Sequence, residues 1–128
     1  MGVFGLLPST DTASDLAVKA GVKMQVNIAE LNTLRRTVDQ PNFNISIGIA
    51  SGPVAVGMIG APNRKTMSAI GRPVNIAADL QKQARPHEIL IDPVTFQNIR
   101  EGRSRFSKTI KSENKYESFT AFSYKASL

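Results

Sequence analysis

The sequence has no cysteine, only one histidine and no long apolar run. The absence of cysteine excludes disulfides, thiolate metal sites and cysteine nucleophiles, and it fits a reducing compartment. His87 has no second histidine or cysteine with which to share a metal, and we expect it to be exposed in a turn beside Pro86. No apolar stretch approaches the ~18 residues of a membrane span, and the start, MGVFGLLPST, lacks the pattern of a secretory signal. We therefore expect a cytoplasmic protein without a membrane segment.

Basic residues outnumber acidic ones. Sixteen Lys and Arg against ten Asp and Glu give a formal net charge of +6, which suits an anionic partner such as a nucleotide, a nucleic acid or an acidic protein surface. The charges are scattered, and no aromatic residues interleave with them as they do in nucleic-acid-binding motifs. Charge alone thus does not favour nucleic acid, although a basic nucleic-acid-binding domain stays among the alternatives.

A long helix is predicted near the start of the chain. Thr12 and Asp15 have the spacing of a capping box, and apolar residues then follow at steps of three and four up to about Arg36. We expect this stripe to pack on a sheet, with Met24 in the core. Its members are Ala13, Ala17, Ala20, Met24, Ile28, Leu31 and Leu34.

Residues 44–75 combine strand patterns with turn residues. Isoleucine alternates with small or polar residues over 45–49, and apolar residues alternate again over 54–58, so we predict that these two strands form a β-hairpin. The glycines at 48, 52, 57 and 60 are expected to allow close backbone approach. A short strand over 66–70 and a helix from Pro73 to about Ala84 follow.

The remaining segments predict shorter elements. Residues 88–91 are a buried strand, and Asp92 is a structural N-cap for a helix over 94–99. Residues 116–125 have strand composition after a loop at 111–115. Residues 1–5 have the composition of the end of a buried strand.

Six blocks of the sequence, in one order, resemble the second half of a class III adenylate/guanylate cyclase catalytic domain. They are Ile47-Gly48-Ile49, Ser51-Gly52-Pro53-Val54, Gly57-Met58-Ile59-Gly60, Ile70-Gly71, Val74-Asn75-Ile76-Ala77 and Glu88-Ile89-Leu90-Ile91. The resemblance implies a ferredoxin-like α+β fold, with helices packed on an antiparallel-rich sheet. It is clear over 1–99 and weak over 100–128, where closing strands are expected. We interpret 1–128 as a single partial cyclase domain, truncated at the N-terminus.

The resemblance also implies a reaction. Class III cyclases convert ATP or GTP into the 3′,5′-cyclic nucleotide and pyrophosphate, and their sites form between two cyclase domains. Two Mg²⁺ or Mn²⁺ ions activate the ribose oxygen and neutralise the phosphates. The family's two metal aspartates lie upstream of the segment that residues 1–5 match, so the resemblance assigns no metal ligand to this chain.

Two residues match family positions that contact the nucleotide. Asn75 matches the asparagine that positions the ribose in the transition state. Ser68 matches a purine-reading position, where adenylate cyclases commonly have Asp or Thr and guanylate cyclases commonly have Cys. Because serine can hydrogen-bond as threonine does, Ser68 favours adenine over guanine.

Asp79 departs from the family pattern. Four residues after the asparagine, on the same helical face, the family has an arginine that meets the developing phosphate charge. An acid there repels a triphosphate, and loss of such an arginine can cost about 10³–10⁵ in rate, by analogy with arginine fingers. Arg72 stands where the family has Asp or Asn. Arg72 or Lys65 could replace the arginine only if its side chain pointed to the same place.

These residues leave two main hypotheses. One is a truncated adenylate-type cyclase domain that is inactive alone. The other is a pseudo-cyclase that pairs with a complete cyclase domain, as a homodimer or heterodimer, and regulates it or binds ATP or GTP without turnover. The alternative to a nucleotide site is that these residues have no role in binding: Asn75 bonds locally, Ser68 is an ordinary strand residue and Asp79 is solvated.

Overall fold

The computed structural model describes residues 1–112 and 118–125. In chain order the elements are α1 (Ala13–Arg36), β1 (Ile47–Ile49), β2 (Ala55–Ile59), β3 (Thr66–Ile70), α2 (Arg72–Gln83), β4 (Glu88–Ile91), α3 (Pro93–Asn98), a 3₁₀ turn (Arg103–Arg105), β5 (Ser107–Ser112) and β6 (Ser118–Lys125). Mixed α+β content is as predicted, and each predicted helix forms within about a turn of its expected bounds. The parts of the predicted 111–115 loop and 116–125 strand that fall on 113–117 lie outside the described residues.

The main sheet has four strands in the order β1-β4-β6-β5. β1 runs parallel to β4, with Ile47 opposite Ile89, whereas β6 is antiparallel to both β4 and β5. β4 is therefore central, and all four of its residues are buried, as the sequence predicts. The sheet is antiparallel-rich, and the two predicted closing strands are present as β5 and β6.

The two faces of the sheet carry different helices. Ile89 and Ile91 point to one face, where they form a core with Val18 of α1 and with Ile99 and Phe106. Leu90 points to the other face and packs with Leu80 of α2 and Ala121. Alternation along β4 thus gives the domain two cores, with α1 and α3 on one side and α2 on the other.

The predicted hairpin between β1 and β2 does not form. β1 does not pair with β2, and it lies beside β4 instead. β2 pairs antiparallel with β3 through the turn at 60–65, and these two strands form a separate sheet. Alternation correctly located each strand, but it carries no information on the partner. The predicted close approach at Gly57 is also wrong, because a Cβ there would meet nothing within 4 Å.

Residues 1–5 do not form the predicted strand. They have no strand hydrogen bonds among the described residues, and Met1 and Phe4 are exposed. A strand requires a neighbour to accept and donate its backbone hydrogen bonds, and no described strand lies beside this segment. Its apolar composition alone does not produce a strand.

The apolar stripe of α1 does not face the sheet as predicted. Met24 is 52% exposed and Leu34 is 66% exposed, so Met24 is not a core residue. Gln25 and Asn32 are buried instead. Asn32 donates to the Phe43 carbonyl and accepts from the Phe43 N–H, both at 2.7 Å, and Gln25 donates to the Ile45 carbonyl. The buried face of α1 therefore joins these amides to Val18 and Gly21, and it is rotated away from the predicted apolar stripe.

A chain of hydroxyl groups joins α1 to α3. Ser14 Oγ lies 2.8 Å from Ser51 Oγ, which lies 2.7 Å from Thr95 Oγ1. The Thr95 hydroxyl donates to Asp92, whose carboxylate also accepts the Thr95 N–H at 2.9 Å. Asp92 is therefore the structural N-cap that the sequence predicts, and its network ties three segments together.

His87 is half-buried rather than exposed. Its backbone lies in the left-handed region at φ 69°, and its N–H donates to the Ile45 carbonyl at 2.9 Å. This bond holds the turn against the end of β1, which buries Nδ1 without a partner among the described residues.

Asp15 links the start of α1 to the turn before β5. It is 5% exposed, accepts the Thr12 hydroxyl and the Arg100 N–H, and its own N–H donates to Thr12 Oγ1. Burial raises the pKa of Asp15, but the hydrogen bonds from Arg100, Thr12 and Glu101 and the charge of Lys19 outweigh it, so the net pKa is lowered. The predicted capping pair is confirmed, with Asp15 bonding mainly to groups outside the helix.

This geometry predicts a pH-dependent effect of Asp15→Asn. The pKa of Asp15 is lower in the folded state than in the unfolded state. Its carboxylate therefore stabilises the fold at pH values above the unfolded-state pKa, and this contribution is lost as the pH falls through the folded-state pKa. At pH 7 we expect urea unfolding to show a loss of about 2 kcal/mol, shrinking below about pH 4. Asp11→Asn, which removes only the exposed 3.3 Å ion pair to Lys19, is the control. Equal losses at pH 7 and pH 3 would contradict the role of the Asp15 charge.

Candidate functional site

The sequence-predicted site residues lie on β3 and on the first eight residues of α2. α2 begins at Arg72, directly after Gly71, with Pro73 in its first turn. Ser68 stands two residues before the end of β3. A single turn of backbone therefore connects the strand that carries Ser68 to the helix that carries Asn75 and Asp79.

Close backbone contacts fix the position of α2. A Cβ atom at Gly48 of β1 would lie 2.3 Å from the Ala77 carbonyl oxygen and 2.5 Å from the Gln81 nitrogen. A Cβ at Gly52 would lie 2.8 Å from the Pro73 ring. Only glycine permits α2 to lie this close to β1. The predicted close approach at these glycines is confirmed, and it places the Asn75 turn relative to the sheet.

Ser68 is half-buried on β3, opposite Gly57 of β2. Its hydroxyl donates to the Thr66 carbonyl over 3.5 Å, which is at the limit of a hydrogen bond. This weak local bond leaves the hydroxyl able to rotate toward another partner. Gly57 presents no side chain across the strand pair, so space is open beside Ser68.

Asn75 and Asp79 are both exposed on α2, one helical turn apart. Neither side chain has a hydrogen bond or ion pair to another described residue. The Asn75 amide does not cap the helix, since Gly71 is the N-cap and no side chain bonds there. No contact among the described residues supports the alternative that Asn75 only bonds locally. The exposed Asp79 side chain agrees with the expectation that it is solvated.

The two candidate replacement cations lie at opposite ends of β3. Arg72 is exposed in the first turn of α2, three residues before Asn75, and Lys65 is exposed in the turn before β3. Neither has an ion-pair partner within the described part of the chain. Arg72 is in the same helical turn as Asn75, but Asp79 stands one turn further along the helix.

The described residues contain no group of three His, Asp or Glu side chains that could hold a metal ion. The His87 backbone N–H bonds to the Ile45 carbonyl, two residues before β1, and no hydrogen bond among the described residues joins His87 to Asn75. Likewise, no helix in the described ranges is both long and apolar enough to cross a membrane.

Comparison with known proteins identifies the family. The family model of the adenylate and guanylate cyclase catalytic domain matches residues 1–120, so the chain belongs to this class III cyclase family. It is also 29% identical over 87 residues to uncharacterized proteins of Mycobacterium bovis and Mycobacterium tuberculosis. The matched part is 68% of this chain but 15% of either of those proteins.

Solved cyclase structures share the fold. The guanylyl cyclase Cya2 matches with a TM-score of 0.78 and 22% identity, covering 94% of this chain and 61% of its own. The adenylyl cyclase CyaB from P. aeruginosa matches with 0.79 and 24% identity, over 98% of this chain and 66% of its own. The guanylate cyclase domain of RhGC from Catenaria anguillulae, solved with GTP, matches with 0.73 and 21% identity, over 96% and 65%. The predicted fold class is thereby confirmed, and the chain spans about two-thirds of those chains.

Proposed function

We propose that this chain is the part of a class III, adenylate-type cyclase domain that presents Asn75 and Ser68 to ATP, and that it forms no cyclic AMP on its own. The observation that carries the proposal is the placement of Asn75. Its amide is exposed in the first turn of α2, has no partner among the described residues, and lies on the helix that directly follows the strand carrying Ser68. An amide held this way can donate to a ribose oxygen without first breaking a protein hydrogen bond.

The rest of the site has to come from elsewhere. Bound Mg²⁺ or Mn²⁺ would supply the activation of the ribose oxygen and the neutralisation of phosphate charge. The carboxylates for it are not grouped in the described part of this chain. Asn75 would orient the ribose, and the Ser68 hydroxyl would bond to the purine edge. RhGC was solved with GTP, and our preference for ATP rests on Ser68 being a hydroxyl residue.

An activity assay tests this proposal. Purified protein incubated with ATP and Mn²⁺ is expected to yield no more cyclic AMP than the same protein carrying Asn75→Ala, because the resemblance assigns no metal carboxylate to these residues and Asp79 repels the phosphates. Product that increased in proportion to the wild-type protein, and that was lost in Asn75→Ala, would contradict it.

The isolated β2–β3 hairpin favours a second candidate, a pseudo-cyclase that pairs with another cyclase domain. Within residues 1–112 and 118–125, these two strands pair only with each other. Met58 and Met67 face each other in register, and they are 56% and 62% exposed, while Ile70 is 60% exposed. A two-stranded hairpin is marginal by itself in water, and flexible methionines are common at protein-binding surfaces. Successive strand residues point to opposite faces, so Met58 and Met67 lie on the face of the hairpin opposite Ser68 and Ile70. A domain docked on the methionines would therefore pair with this chain and leave the Ser68 face open to a nucleotide.

The oligomeric state distinguishes this candidate. The wild-type chain is expected to elute as a dimer, and the Met58→Ser/Met67→Ser variant as a monomer, in size-exclusion chromatography with light scattering. Met24→Ser/Leu34→Ser removes equally exposed apolar residues from α1 and serves as the matched control. A wild-type monomer at high concentration would count against self-pairing, as would dissociation by the α1 variant alone.

A further inference from the structure

A cleft on the α1 side of the sheet has the features of a ligand site. It lies between the first half of α1 and the turn that precedes β5, and its volume is about 310 Å³. Val18 and Phe106 are buried in its floor, and Val22 is half-buried beside them. Lys19, Lys23 and Arg105 line the cleft with Asp15, Glu101 and Gly102. This volume is within the range of small-molecule sites, which are apolar with a few polar groups.

The cleft is separate from the surface around Asn75. Val18 and Phe106 belong to the core beneath α1, with Ile89 and Ile91. α2 packs on the opposite face through Leu80, against Leu90. A ligand in the cleft would therefore contact the opposite side of the sheet from α2, and the inference does not depend on the proposed function.

Some charged side chains of the cleft have partners among the described residues, and others do not. The Asp15 carboxylate is occupied by the Thr12 hydroxyl and the Arg100 N–H, at 2.8 and 2.9 Å. Lys19 pairs with Asp11 at 3.3 Å. The Glu101 charge acts on Lys19, whereas neither Lys23 nor Arg105 has a hydrogen bond or ion pair to another described residue. The lining carries three cations against two carboxylates, with Asp11 paired to Lys19 from outside it, so Lys23 and Arg105 are the cations available to a ligand over the apolar floor.

We propose that this cleft binds a small organic anion with a compact aromatic or apolar body. The Arg105 guanidinium can hold a carboxylate or sulfonate with two parallel hydrogen bonds, and Lys23 adds a point charge. The apolar body would cover Val22 and the floor formed by Val18 and Phe106. Since the site joins α1 to the segment before β5, such a ligand stabilises the folded chain by mass action.

The experiment uses 1-naphthalenesulfonate as the probe, with uncharged 1-naphthol as its matched compound. Titration of the whole chain, followed by ¹H–¹⁵N NMR, is expected to shift amide signals of the lining residues and to raise the melting temperature. Lys23→Glu/Arg105→Glu is expected to weaken binding about tenfold. Lys82→Glu/Arg85→Glu, which changes the net charge equally at exposed residues near α2, is expected to leave it unchanged.

Three results would overturn the proposal. Signals that shifted mainly on the exposed face of α1 or on the β2–β3 hairpin would place the probe on an unrelated apolar surface. Equal weakening by the two charge-reversal variants would mean that it responds only to net charge. Equal affinity for 1-naphthol would remove the role of the cations. If the reversed variant fails to fold, Lys23→Gln/Arg105→Gln tests the same cations without adding acids.

Discussion

Replacing Gly48 with alanine is expected to destabilise the protein by about 3 kcal/mol or more. The new methyl carbon would lie 2.3 Å from the Ala77 carbonyl oxygen and 2.5 Å from the Gln81 nitrogen. Both are backbone atoms inside α2, so no rotamer change can relieve the overlap, and the helix has to move away from β1. Such a movement also opens the core that Leu80 makes with Leu90.

The matched control for this prediction is Gly57→Ala. Gly57 is also a strand glycine, but a Cβ there meets nothing within 4 Å. We expect urea unfolding to show a change within about 0.5 kcal/mol for this variant. A small effect of Gly48→Ala, comparable to that of Gly57→Ala, would contradict the close packing of α2 on β1. That packing is what places Asn75.

Replacing Asp79 with arginine is expected to tighten ATP binding about tenfold or more. One unit charge at ~4 Å from another is worth about 4 kcal/mol at an effective dielectric of ~20, and the substitution reverses the sign. Asp79 is exposed, so solvent screening reduces the realised gain well below that figure. The result rests on the proposed function, because it requires the triphosphate to lie along α2 beyond Asn75.

Calorimetric titration with ATP at fixed ionic strength measures this change. Glu30→Arg makes the same charge change on exposed α1, on the other side of the sheet, and controls for nonspecific attraction. Adding Asn75→Ala to Asp79→Arg is expected to remove most of the gain. Equal tightening by Glu30→Arg and Asp79→Arg would contradict a phosphate position next to residue 79. Cyclase activity is not expected from Asp79→Arg alone, because it adds no metal ligand.

Local patterns predicted the elements of this fold better than their partners. The capping residues Thr12 and Asp92 and the buried strand β4 follow from short-range chemistry, and each is confirmed. The parallel pairing of β1 with β4 joins residues about forty positions apart, with β2, β3 and α2 between them. Period-2 alternation cannot encode such a contact, so the predicted pairing of β1 with the adjacent strand β2 is wrong.

The predicted buried face of α1 is wrong for a different reason. Periodicity located an apolar stripe, but the buried face is set by Gln25 and Asn32, whose amides satisfy backbone groups of the returning chain. A polar residue at a buried position is identifiable only when its partner's location is known. For the candidate site, helix geometry alone placed Asn75 and Asp79 on one face. The cleft beside Lys23 and Arg105 joins segments about eighty residues apart, and no sequence pattern predicts it.

Mapping ATP binding on the wild-type chain by ¹H–¹⁵N NMR, without metal and then with Mg²⁺, tests the proposed nucleotide surface most directly. We expect shifts confined to β3 and the first two turns of α2, centred on Ser68 and Asn75, that Asn75→Ala weakens. Shifts that fell elsewhere on the chain, or that persisted unchanged in Asn75→Ala, would contradict the assignment of this surface to the nucleotide.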